Sequence, residues 1–171
     1  SVHILDVDTG RSRILVEDGK SATWSPDGRR IAFVRDTLPG DKTREEIWVI
    51  PATGGEPRRV LEGAGYPTWS SDPSRVYAHS RLLDQLVEIS LDDSNATPRS
   101  LAPCSHRSPA ISPDGRFYSA SRDGELIVVD IASGEIASRW KPPLHDVPLL
   151  TRWSPDGREI SLGGFTYSEL G

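Results

Sequence analysis

One phrase occurs four times in this chain. Trp24-Ser25-Pro26-Asp27-Gly28-Arg29-Arg30-Ile31-Ala32-Phe33 is the fullest copy. Ile111 to Phe117 and Trp153 to Ile160 repeat it, and Trp69 to Val76 is a worn copy with Ser71-Asp72-Pro73-Ser74 in its middle. The anchor positions 24, 69, 111 and 153 are 45, 42 and 42 residues apart. A fixed period of this size means one supersecondary unit copied along the chain, each burying its apolar faces on its neighbours. The phrase itself is a tight turn: Pro presets φ, Asp accepts local hydrogen bonds, and Gly takes positive φ.

Between anchors the chain reads as short β-rich runs. Val2-His3-Ile4-Leu5 and Arg13-Ile14-Leu15-Val16 flank the turn signal Asp6-Val7-Asp8-Thr9-Gly10 and form a hairpin. Each following unit offers four such runs, as in Ser21–Trp24, Ile31–Val34, Ile47–Ile50 and Arg58–Leu61. No helical period of useful length appears. Four antiparallel strands in about 40–45 residues are one propeller blade. The expected fold is all-β, a β-propeller with four blades per chain. Residues 21–62, 63–103 and 104–145 are complete blades. Residues 1–20 hold the third and fourth strands of a shared blade, and residues 146–171 hold its first and second. Val2, Ile47, Leu86 and Leu126 fall in register as third-strand residues.

The run from Trp24 to Phe33, followed by Ile47-Trp48-Val49 and Gly54-Gly55 to Val60, resembles the propeller repeat of TolB-like and WD-repeat-like proteins. The resemblance covers nearly the whole chain. It implies rings of six to eight blades and a periplasmic or extracellular setting. It does not imply one function, because propellers host many unrelated ones. Ile111 departs from the pattern by replacing the anchor Trp, and Ser71-Asp72-Pro73-Ser74 by scrambling the turn.

Residues 2–16 and 150–165 are expected to carry unpaired strand edges, which act as pairing templates. Three closures are open. Two chains exchange half-blades and form an eight-bladed homodimer; one chain closes on itself; or further blades are needed. The chain contains no Met and begins Ser1-Val2-His3, which suggests an excised piece.

Composition restricts function. A net charge of -5 speaks against general nucleic-acid binding, and no apolar run is long enough to span a bilayer. The single Cys104 has no internal partner for a disulfide. His3, His79, His106 and His145 have no metal-ligand spacing, so no cofactor or metal is expected. No Gly-x-Ser-x-Gly elbow occurs, so the chain is read as non-catalytic. Its expected role is a self-associating scaffold for protein or peptide contacts. The alternatives are the propeller portion of a larger peptidase-like hydrolase, or a TolB-like envelope component. Trp24, Trp69, Trp153 and Trp48 are expected between blades, while Trp140 suits a surface. Candidate ligand residues ring one mouth of the channel. Arg35, Asp36, Arg81, Arg122 and Asp123 follow second strands, and Tyr66, His106, Arg107, His145 and Asp146 lie on loops reaching the same face. An acidic peptide or ligand is the expected guest.

Overall fold

The computed structural model describes residues 1–38, 44–93, 97–103, 109–122, 124–141 and 147–165. Sixteen strands appear among them. The hairpin of β1 (Val2–Leu5) and β2 (Ser12–Val16) comes first. Its turn is held by the Asp6 carboxylate, which accepts the Asp8 and Thr9 backbone N–H groups. Three four-stranded antiparallel meanders follow. The first is β3 (Lys20–Trp24), β4 (Arg30–Asp36), β5 (Glu45–Pro51) and β6 (Arg58–Glu62). The second is β7 (Ala64–Trp69), β8 (Arg75–Ser80), β9 (Gln85–Ser90) and β10 (Arg99–Pro103). The third is β11 (Ala110–Ile111), β12 (Phe117–Arg122), β13 (Glu125–Asp130) and β14 (Ile136–Trp140). A second hairpin, β15 (Val147–Trp153) and β16 (Ile160–Phe165), ends the described chain.

Each repeated phrase builds the turn between a first and a second strand. Ser25 Oγ, Ser112 Oγ and Ser154 Oγ donate to the aspartates at 27, 114 and 156, at 2.6, 2.5 and 2.6 Å. The same hydroxyls accept the backbone N–H of Arg30, Phe117 and Glu159. Bonds from Ser lower the pKa of all three aspartates, and backbone N–H bonds assist. Gly28, Gly115 and Gly157 take positive φ at the last corner. The worn copy keeps the principle, with Asp72 accepting from the Ser74 N–H at 2.8 Å.

The sheets stack face to face, and the cores lie between them. Ala32, Val34 and Ile47 of the first meander meet Ala64, Val76 and Ile89 of the second. Tyr77 and Leu86 meet Tyr118, Ile127 and Ile131 of the third. Val2 and Val16 of the hairpin cover Ile31, Phe33 and Ile50. The residues aligned in sequence as third-strand equivalents, Val2, Ile47, Leu86 and Leu126, are all buried.

The anchor tryptophans join neighbouring sheets through a repeated bond. Trp69 Nε1 donates to the carbonyl of Thr23 at 3.1 Å. Trp153 Nε1 donates to the carbonyl of Ala110 at 3.0 Å and stacks on Phe117. Each acceptor immediately precedes the anchor position of the preceding sheet. Trp24 departs from expectation, being 51% exposed rather than packed between blades. The sheet before it is the two-stranded hairpin of β1 and β2. Trp140 is largely exposed, as a surface residue should be.

Candidate functional site

The first strands β3, β7, β11 and β15 face a common cavity of about 510 Å³, a volume within the usual range for small-ligand sites. It is lined by Ser21, Thr23, Tyr66, Thr68, Ala110, Arg152 and Trp153 together with three prolines. Ser21 and Tyr66 sit three residues before their anchor tryptophans, at φ 51° and 55°. Each occupies a register shift in its first strand, between Lys20 and Thr23 and between Gly65 and Thr68. A bulge re-aims a side chain. A non-glycine residue held at positive φ costs about 1–3 kcal/mol, and such strain gathers at functional sites.

Several sequence-predicted residues meet in a chain of contacts that reaches this cavity through Tyr66. Glu45, at the start of β5, is buried and binds two cations from different sheets. Arg81 Nε donates to its Oε2 at 2.8 Å, and Lys20 Nζ meets its Oε1 at 2.8 Å. Lys20 also donates to Asp36 at 2.7 Å. The Arg81 guanidinium lies 5.2 Å from the centre of the Tyr66 ring. Asp36, Lys20, Glu45, Arg81 and Tyr66 thus form one chain of contacts across two sheets. The bond to Asp36, with help from Glu45, raises the Lys20 pKa. Burial opposes the charge on Arg81, yet the bonds with Glu45 and Tyr66 outweigh it and raise its pKa.

Arg35 does not join this chain. Strand residues alternate between faces, so Arg35 turns the other way, donates to Asp18 at 2.9 Å and stacks over Trp48 at 4.3 Å. Arg122 ends β12, where its backbone pairs with Glu125. His106, Arg107, Asp123, His145 and Asp146 lie outside the described residues.

Sequence reasoning missed three participants. Glu45 and Lys20 stand in no repeated motif. Arg152 was overlooked although a signal exists: it occupies the place before the anchor, where Thr23, Thr68 and Ala110 also face the cavity. Among the described residues, its guanidinium meets no carboxylate and donates only to the Thr151 carbonyl, at 2.9 Å. Lys20 and Arg81 are paired with carboxylates, whereas the exposed Arg152 on the cavity wall is not, among the described residues.

No protein-family model matches the chain. It resembles TolB from Acinetobacter baumannii, with a TM-score of 0.73 at 17% identity, over 92% of this chain and 41% of that one. It also resembles the β-propeller domain of Cps50 (Swd1) from Myceliophteria thermophila, with a TM-score of 0.66 at 16% identity, over 94% and 55% of the two chains. The fold is a β-propeller. In sequence, the propeller chain is 28% identical over 166 residues to a protein named Uncharacterized peptidase YuxL, from Bacillus subtilis (strain 168). That match takes in 92% of this chain and 24% of YuxL, so the chain spans about a quarter of its curated relative.

Proposed function

We propose that this propeller is a non-catalytic binding module whose central cavity takes a peptide bearing carboxylates. The observation that carries the reading is Arg152. It is a cation in a concave site with no carboxylate to meet among the described residues, while Lys20, Arg35 and Arg81 each have one. A peptide carboxylate would supply the missing partner. Tyr66 and Ser21, fixed by their bulges, would contact the peptide on the opposite wall. The paired rim charges hold the two sheets in place and leave Arg152 to select the ligand.

Fluorescence anisotropy with labelled octapeptides of alternating Glu-Gly, Ser-Gly and Lys-Gly tests this. The acidic peptide should bind most tightly. A hydrogen bond to a charged group contributes about 1.5–3 kcal/mol, so Arg152→Ala should weaken binding at least tenfold. Equal binding of all three peptides, or full affinity in the variant, would refute the reading.

A second reading is favoured by the likeness to YuxL. In it the chain is the propeller portion of a larger peptidase and controls which peptides reach a hydrolase domain. A Gly-x-Ser-x-Gly segment elsewhere in the same gene would support that reading, and a gene without any hydrolase domain would exclude it.

A further inference from the structure

Arginines tie each sheet to the next, and the second meander breaks the pattern. Arg13 of the hairpin donates to the Ala52 carbonyl, just past β5. Arg58 of the first meander donates to the Leu91 carbonyl, just past β9, at 2.9 Å. Arg30, which opens β4, also crosses and donates to the Pro73 carbonyl at 2.5 Å. Arg99 and Arg75 hold the same places in the second meander. Arg99 pairs with Glu88 as Arg58 pairs with Val49 and Arg13 with Ile4. Arg75 pairs with Ser90 as Arg30 pairs with Pro51. Neither crosses to the third meander. Both turn back on Glu88, Arg75 at 2.6 Å and Arg99 at 3.3 Å. The cause is the residue at 88: the other sheets have Ile4, Val49 and Val128 there, which cannot hold a guanidinium. The acceptors on the far side are in place. The Ile131 N–H bonds the Arg116 carbonyl as the Leu91 N–H bonds that of Ser74, and Gly115 follows its turn aspartate as Pro73 does. A recess of about 430 Å³ opens between the two sheets, lined by Asp72, Glu88, Asp114, Gly115, Ile131 and Ala132 beside the arginines.

We propose that this recess binds a guanidinium group from outside, the side chain of arginine. The joint between the first and second meanders is the template for the guest. Two guanidiniums lie there on main-chain carbonyls, and among the described residues no carboxylate bonds either of them. The joint between the second and third meanders holds the same two, but Glu88 neutralises one charge and Asp72 meets Arg75 at 3.3 Å. The other guanidinium in the lining, Arg116, is paired with Asp130 at 3.2 Å. One more guanidinium therefore leaves this joint no more positive than the one before it. The carbonyls of Gly115 and Ile131 would accept its N–H groups, as Pro73 and Leu91 accept those of Arg30 and Arg58, with the Asp114 carboxylate on the same wall. A planar fork of donors matches two separate acceptors in a way that a lysine ammonium does not. Both walls are complete four-stranded sheets, and the recess shares no residue with the central cavity.

An NMR titration of the backbone amides with acetyl-Gly-Arg-Gly-amide tests this. Saturable shifts should appear at residues 114–116 and 131–132, with a Kd on the order of 1 mM. The citrulline counterpart keeps the shape without the charge and should bind at least tenfold more weakly. The lysine counterpart keeps the charge without the fork and should also bind more weakly. Free L-arginine, titrated in parallel, distinguishes the amino acid from a peptide side chain as the source, and saturation by either supports the assignment. Ala132→Arg places the chain's own guanidinium in the recess from an exposed position, so it should fold normally and lose the binding. Glu88→Val gives the second meander the residue of the first. Arg99 and Arg75 should then cross to the Ile131 and Gly115 carbonyls, and the arginine peptide should no longer bind. The proposal is overturned by the absence of saturable shifts with both arginine ligands, by equal affinity for the citrulline or lysine peptide, or by full binding in Ala132→Arg.

Discussion

Tyr77 couples the stability of this propeller to alkaline pH. Its hydroxyl donates to Glu88 at 2.9 Å, and Glu88 also accepts from Arg75 at 2.6 Å and Arg99 at 3.3 Å. Burial, then the neighbouring carboxylate, pushes the phenol up to about 12. Burial would likewise raise the Glu88 carboxyl, but the bonds from Tyr77 and Arg99 more than offset it and leave its pKa lowered. An unfolded tyrosine titrates near 10. Because the folded pKa is the higher one, the stabilisation is complete below pH 10 and lost as pH rises through 12. A shift of two units corresponds to about 2–3 kcal/mol. Near pH 9, Tyr77→Phe should cost about 1.5 kcal/mol, the low end for a hydrogen bond to a charged group, because Glu88 keeps both arginines. By pH 12 the order should reverse, with the variant the more stable by about 1 kcal/mol. Urea unfolding of both proteins at pH 9, 10.5 and 12 measures the crossing. Parallel pH profiles for the two would refute the reasoning.

Two substitutions probe the joints between sheets. A Cβ on Gly19 would lie 2.8 Å from both Phe33 Cδ2 and Val2 Cγ2, so Gly19→Ala should cost about 1–3 kcal/mol by overpacking and lower the urea midpoint. Trp69→Phe removes the bond to Thr23 and part of a buried ring, which should cost about 2 kcal/mol; Trp140→Phe at an exposed site should stay within about 0.5 kcal/mol in the same assay.

The repeat made the fold readable because its information is local. A Ser-Pro-Asp-Gly turn closes on its own hydroxyl and carboxylate, so four residues suffice to place it. The site was less legible because its contacts join residues far apart in sequence, and one of them, Arg81 with Glu45, crosses from one sheet to the next. Arg35 and Asp36 are adjacent in sequence but face opposite sheets, and their partners Asp18 and Lys20 come from the strand connection before β3 and from its first residue. Glu45 is buried because two cations from separate sheets converge on it, which no run of residues announces. The expected burial of Trp24 failed for a related reason: an anchor is covered by the sheet before it, not by its own sequence.

The acceptor in the tryptophan joint is a main-chain carbonyl, which every residue type provides. Substitution of Thr23 or Ala110 therefore leaves the acceptor in place. Such a coupling is indifferent to which unit stands upstream. Gene duplication could insert or remove a whole blade and the new neighbours would still interlock, giving propellers of this kind a route to different ring sizes without redesigning a contact.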